Sequence, residues 1–300
     1  MLVVGASAHG SPGVSTALQL VAAQWPDDGR TPIVVEADLA GGVLAARFEI
    51  SLTPGMVTLA EALRQGEHPD LLMHAQRLPS GVACVPSSPS ATAAATQLRS
   101  AGAGFGRFLR SSGHPVLVDT GTMLPDHRVD AVTSTADLVL WFVRPIREEL
   151  LVLRTRIEEM AQFSDAAIVL IGESPHDARQ VESALKMPVL QVLPDDDRAA
   201  RAANRGGDDR YLRRSPLARS SAQLADRLHD RASRRVVEQI TSDQPTSSSE
   251  PERAPSESRP EPLVVSVGPA SAPSRPVEPA PSEASHDVED KLVVWLPDGG

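Results

Sequence analysis

Cysteine is all but missing from this chain: Cys84 stands alone among 300 residues. A disulfide framework and a cysteine-based zinc site are thereby excluded, and a reducing, cytoplasmic setting is expected. Aromatic residues make up only 3% of the chain although hydrophobic residues reach 41%. A core must therefore be built from Val, Leu, Ile and Ala, the palette of buried parallel strands under Ala/Leu-rich helices. Lysine is nearly absent too, with Lys186 and Lys291 the only two among 29 basic residues. Chemistry that needs an ammonium group has two places to find one. No apolar run approaches the 18 residues of a membrane-spanning helix, and the opening MLVVGASAHGSPG has no basic n-region of a signal peptide. The net charge of −10 argues against binding nucleic acid through overall charge and leaves only local patches. Neither a His/Cys metal cluster nor a nucleophile–base triad is evident.

Charge is distributed in blocks. Residues 1–197 hold 14 basic and 23 acidic residues, whereas residues 198–235 hold 11 Arg against four Asp. Residues 241–290 hold three Arg, 10 acidic residues, 10 Pro and 11 Ser, too little apolar surface to offset chain entropy. Three segments follow: an α/β domain over 1–240, a disordered acidic Pro/Ser-rich linker over 241–291, and a short apolar peptide over 292–300. That peptide carries Leu292, Val293, Val294, Trp295 and Leu296, a group able to anchor in a partner's groove.

Within the first segment short aliphatic runs alternate with helical patterns. Strands are expected over 2–4, 33–35, 82–85, 116–118, 138–143, 167–171 and 189–192, most of them continuous enough to be buried on both faces. Helices are expected over 15–24, 59–64, 92–98, 147–160 and 177–184. In the fourth, Leu150, Leu153, Ile157 and Met160 recur at three and four residues and form one apolar stripe. Strand–helix alternation at this rhythm predicts an α/β fold with a doubly wound, mostly parallel sheet. Cys84, inside a strand, reads as a small core residue, and His114 beside Pro115 reads as a surface residue.

Ligands of such sheets bind beyond the carboxyl ends of the strands. There the first strand runs into Gly5-Ala-Ser-Ala-His-Gly-Ser-Pro-Gly-Val-Ser-Thr16 and then a helix. A Gly/Ser-rich turn opening a helix aims N–H groups and a positive dipole end at an anion, usually a phosphate. Read without context, the same loop could be only a tight turn, with Ser15 and Thr16 opening the helix. The second strand ends in Glu36-Ala-Asp38, and the strand over 116–118 closes in Asp119-Thr-Gly121, an aliphatic run ended by a carboxylate of the kind that holds magnesium.

Taken together, these segments resemble the MinD/ParA branch of P-loop ATPases, the deviant Walker A spatial regulators. The resemblance runs collinearly over about 1–235. It includes Val34-Val-Glu-Ala-Asp-Leu39, Leu140-Trp-Phe-Val-Arg-Pro-Ile146, Val192-Leu-Pro-Asp195 and Arg214-Ser-Pro216. It implies a nucleotide site at His9, Gly10, Ser11, Gly13, Val14, Ser15 and Thr16, magnesium held at Ser15, Asp38 and Asp119, and Asp38 as the catalytic carboxylate. It also implies a homodimer and a protein partner within a larger assembly.

The departures are as informative. Where the family reads Lys-Gly-Gly-x-Gly-Lys-Ser/Thr-Thr, this chain reads His9-Gly-Ser-Pro-Gly-Val-Ser-Thr16. Val14 replaces the lysine of the β/γ-phosphates, and His9 replaces the lysine that reaches across the dimer. His9 can stand in only when protonated. A lost cation beside polyphosphate removes charge-assisted hydrogen bonds of roughly 1.5–3 kcal/mol each. The expectation is a spatial regulator or assembly factor, serving partitioning, septum placement or pilus and secretion assembly, with ATP/ADP and magnesium bound weakly or not at all. Two alternatives stay open. One is a working magnesium-dependent ATPase, assisted by an arginine; the other is a nucleic-acid module using the Arg-rich 198–235 segment. DNA or an acidic membrane surface would then be the partner of that segment.

Overall fold

Every aliphatic run expected as a strand is one, and three central strands carry the residues of interest at their carboxyl ends. The computed structural model describes residues 1–10, 12–124, 127–159, 165–173, 176–206 and 209–242, with backbone alone at 127–129 and 235–242. Ser11, the linker over 243–291 and the apolar peptide over 292–300 lie outside the described residues, as does Met160 at the end of the expected apolar stripe.

The strands are β1 (Leu2–Ser7), β2 (Ile33–Glu36), β3 (Gln76–Arg77), β4 (Ala83–Val85), β5 (Val116–Thr122), β6 (Leu138–Val143), β7 (Ala166–Ile171) and β8 (Val189–Leu193). They form one sheet in the order β3-β4-β2-β5-β1-β6-β7-β8. All pairings are parallel except the two-residue edge strand β3 against β4. Between them lie α1 (Val14–Ala23), α2 (Leu44–Phe48), α3 (Met56–Arg64), α4 (Ala91–Ala101), α5 (Phe105–Ser111) and α6 (His127–Thr133). The helices α7 (Arg147–Glu159), α8 (Ala178–Leu185), α9 (Asp197–Arg205), α10 (Arg210–Arg214) and α11 (Pro216–Ser242) follow among the described residues. Residues Met1–Val236 make one compact unit.

Strand alternation sorts the core into two layers, because successive side chains leave opposite faces. Val4, Ala6, Ile33, Val35, Val118, Trp141 and Ile168 join residues of α3, α4, α5 and α7 on one side. On the other, Val3, Val34, Cys84, Leu117, Leu140 and Phe142 join residues of α1, α2, α9 and α11. The sparse aromatics are concentrated in these layers, with Phe105, Trp141 and Phe142 all fully buried. Gly5 has a specific packing reason: a Cβ there would sit 2.8 Å from Leu18 Cδ1, so glycine lets α1 lie directly on the sheet.

The register places the chemistry. Gly5 of β1 and Glu36 of β2 each pair with Asp119 of β5, so three strand ends stand side by side. A shift in the β1–β5 register between Gly5 and Ser7 carries the chain out into the glycine-rich loop. Among the described residues no helix is long and apolar enough to cross a membrane.

Candidate functional site

The loop between β1 and α1 owes its shape to two glycines in the left-handed region, Gly10 at φ 65° and Gly13 at φ 100°. Nothing lies within 4 Å of a Cβ built on either, so backbone conformation alone calls for glycine there. Thr122 Oγ1 donates to the Gly10 carbonyl at 2.9 Å and Ser7 Oγ to the same oxygen at 3.3 Å, which ties the loop to β5. Gly13, as N-cap, brings no side chain to the first-turn amides of α1. Those N–H groups and the positive helix end remain available to an anion. His9, in the same loop, is exposed.

Three polar groups gather next to this helix end. Ser15, on the first turn of α1, stands close enough to Asp119 to favour its charged form, and the Asp119 side chain is only 3% exposed. Asp119 Oδ1 also accepts from Gly121 N at 3.0 Å. Asp38, just past β2, accepts from Ala40 N at 2.8 Å and lies over Gly121. A Cβ at position 121, where φ is +59°, would sit 1.9 Å from Asp38 Oδ2, so glycine is required both for its conformation and for that close approach. Burial pushes Asp119 above the usual carboxylate range, opposed by the nearby Ser15 hydroxyl, the bond from Gly121 and the charge of Arg47. It pushes Asp38 up to about 6, against the bond from Ala40 and with the Asp119 charge adding to the rise.

This donor set fits magnesium. The ion commonly takes one or two carboxylates and keeps waters and phosphate oxygens for its other positions. Ser15, Asp38 and Asp119 supply two carboxylates and a hydroxyl, and two desolvated carboxylates side by side favour a cation between them. Among the described residues no group of three or more His, Cys, Asp or Glu side chains could hold a metal alone. A metal here would depend on oxygen atoms of its ligand and solvent.

Two residues of these segments turn their side chains to the frame of the fold. Glu36 is buried and accepts from Val43 N at 2.6 Å, Leu44 N at 2.9 Å and Ser87 N at 3.0 Å. It holds the start of α2 and the chain after β4, and the extra methylene over Asp gives it that reach. Val14 is 5% exposed and belongs to the apolar layer with Leu18 and Leu117, so position 14 serves the core. Thr16 donates to Asn204 Oδ1 of α9 at 3.1 Å, and Arg47 Nη1 of α2 donates to the same oxygen at 3.0 Å.

Arg47 and Asn204 have no advance signal in the sequence. The segment holding Arg47 shows no clear period, and Asn204 is embedded in a run that reads as a solvated basic helix. That run is partly consumed by its own fold: Arg198 stacks on Tyr211, Arg201 pairs with Asp197 and Arg231 with Asp165. Arg219 and Arg227 donate to the carbonyls of Arg214 and Leu190.

No family model matches the chain, and no curated protein matches it in sequence. Solved structures do match in shape. A ParA family ATPase from Chlorobium tepidum TLS superposes with a TM-score of 0.62 at 19% identity, over 75% of this chain and 97% of that one. The Pyrococcus furiosus cell division ATPase MinD gives 0.59 at 17% identity, over 76% and 98%. The fold is that of the MinD and ParA ATPases. The septum site-determining protein MinD from Pyrococcus horikoshii OT3, solved in complex with Mg-ADP, gives 0.58 at 15% identity, over 75% and 94%. Nearly the whole of each MinD/ParA structure is covered, so the match extends over the complete sheet and its helices.

Proposed function

We propose that this chain is a MinD/ParA-like spatial regulator or assembly factor, in which a magnesium–nucleotide complex serves as a weakly bound conformational ligand with little turnover. One observation carries the reading. The Ser15–Asp119 pair and Asp38 stand intact beside an open helix end, while Val14 is turned into the core where the family pattern has its phosphate lysine. The parts that would hold magnesium and cradle phosphate are present. The cation that would draw electrons from a γ-phosphate during transfer is not supplied from position 14. The Mg-ADP complex of the P. horikoshii protein supports nucleotide as the ligand class.

Of this chain's own residues, Gly10 and Gly13 shape the loop, the amides of the first turn of α1 would bind phosphate oxygens, and Ser15 with Asp38 and Asp119 would hold the metal. A homodimer through this face, and a partner protein engaged by the Trp295 peptide, belong to the same proposal. The nucleic-acid reading is the weaker one, since five arginines of the basic segment are already engaged with neighbours.

Calorimetric titration of the full chain with ATP and ADP, with and without magnesium, tests the proposal. The expected result is magnesium-dependent heat, with affinity about one to two orders of magnitude below that of a Val14→Lys variant, the value of one charge-assisted hydrogen bond. Phosphate release should stay near background. Robust turnover abolished by Asp119→Ala would overturn the low-turnover reading; no heat at millimolar nucleotide would overturn nucleotide as the ligand.

A further inference from the structure

We propose that Arg47 supplies the phosphate-facing cation that position 14 lacks, and that Asn204 is the positioning residue holding it against the first turn of α1. The inference rests on the nucleotide reading above and names the residue that would recognise the ligand's charge.

Placement comes first. Glu36 accepts from the N–H groups of Val43 and Leu44, which fixes the start of α2. One turn later that helix delivers Arg47, and it does so beside the strand end where Glu36 pairs in register with Asp119. The guanidinium and the Thr16 hydroxyl then share one acceptor, Asn204 Oδ1, at 3.0 and 3.1 Å. Thr16 belongs to the same first turn whose amides are uncapped. Arg47 is thus bound to the anion-attracting end of α1 through a single intervening oxygen.

Charge comes second. Arg47 is half-buried, and among the described residues no carboxylate makes an ion pair with it. Its field reaches both Asp119 and Glu36, yet among the described residues its guanidinium makes one hydrogen bond, to a neutral amide, using one of the five N–H donors a guanidinium offers. A desolvated cation with spare donors, held by a neutral group, is suited to a ligand that brings negative charge. Arginine stays charged under all ordinary conditions and its fork matches phosphate oxygens. The chain's near absence of lysine makes arginine the available means. A nucleoside di- or triphosphate fits this arrangement, with magnesium offsetting Asp38 and Asp119 while Arg47 faces the phosphates.

The test uses the full chain and calorimetric binding of Mg-ADP and Mg-ATP. Arg47→Gln should weaken both by about tenfold or more, the scale of a lost charge-assisted contact. Arg47→Lys should keep part of that affinity, and Asn204→Ala should cost less than Arg47→Gln, because the charge remains and only its placement is loosened. Adding Val14→Lys to Arg47→Gln should restore binding, which a purely structural role for Arg47 would not allow. Thermal unfolding without ligand controls for folding; if Arg47→Gln fails to fold, the Arg47→Lys and Asn204→Ala affinities decide. Wild-type binding that is unchanged in a folded Arg47→Gln but lost in Ser15→Ala overturns this inference and leaves the nucleotide reading standing. A wild-type chain that takes up neither nucleotide overturns the reading and the inference with it.

Discussion

Replacing Asp38 by asparagine should stabilise the magnesium-free protein at neutral pH. In the folded chain burial raises the Asp38 carboxyl from its ordinary 3.8 to about 6. Between those values the folded state holds a proton that the unfolded state has already released, so stability falls as pH rises through the window. Above pH 6 the ionised carboxylate is a constant cost. Two pKa units correspond to about 3 kcal/mol, but Asp38 is partly open to water, whose screening reduces that to roughly 1 kcal/mol. The side-chain amide of the Asp38→Asn variant would keep an oxygen for the Ala40 N–H, so the local turn survives and the charge alone is removed.

Urea unfolding followed by tryptophan fluorescence gives the readout, since Trp141 and Trp25 are buried. With chelator present, Asp38→Asn should exceed wild type by about 1 kcal/mol at pH 7.5, and the difference should shrink towards zero near pH 4. The comparison isolates Asp38, because Glu36 and Asp119, whose carboxyls burial also raises, are common to both proteins. Magnesium at millimolar concentration should then reverse the order, since a ligand that binds the native state adds its own stabilisation and the variant has lost a metal carboxylate. An Asp38→Asn protein less stable at pH 7.5 without metal, or a difference that does not grow with pH, would refute the reasoning.

Glu36→Gln should destabilise the fold by about 1–3 kcal/mol, because three backbone N–H groups converge on the carboxylate and the amide's NH2 end must face at least one of them; chemical denaturation measures it, and an unchanged midpoint would count against the anchoring role. Gly121→Ala combines a left-handed backbone, costing about 1–2 kcal/mol, with an overlap on Asp38. It should lower stability and abolish the magnesium-induced rise in thermal midpoint, and a variant that keeps both would show that Asp38 can move freely. Cys84 is fully buried and burial pushes its thiol up to about 12; it should resist a disulfide-exchange reagent at pH 8 in the native protein and react fully in urea, whereas rapid native labelling would place it outside the core.

The sheet was legible because its signal is additive: seven aliphatic runs follow one another along the chain, most of them continuous enough to be buried on both faces. The elements that escaped are those without such a run. The edge strand β3 is only Gln76–Arg77, whose pairing with Ala83 and Cys84 is set by a chain reversal. The helix α2 spans five residues and is fixed by Glu36, a long-range bond that no local period reveals. Ser15, Asp38 and Asp119 could be singled out because strand ends and glycine loops mark themselves, and the fold brings them near one another. The role of Glu36 was not legible, since an acidic residue at a strand end can turn towards a metal or towards amides, and only the position of residues 43, 44 and 87 decides. Arg47 and Asn204 were hidden for the same reason, the two lying 157 residues apart along the chain.

Val14 shows how one position of the loop can serve the core. A lysine at that point must thread a four-carbon stem past the loop to reach phosphate, whereas valine turns inward and joins Leu18 and Leu117 in the layer beneath α1. Position 14 thus brings packing to the core and no charge to the loop. Around it Gly10 and Gly13 hold left-handed backbones, Ser15 stands near Asp119, and the helix end stays open. Binding by backbone amides and magnesium depends on those retained parts, while acceleration of phosphoryl transfer depends on a cation placed where negative charge develops. An arginine held from α2 and α9 satisfies the first need more readily than the second, because Thr16 and Asn204 anchor it to the side of the loop. On the function proposed above, weak binding joined to slow turnover is what such an arrangement would give.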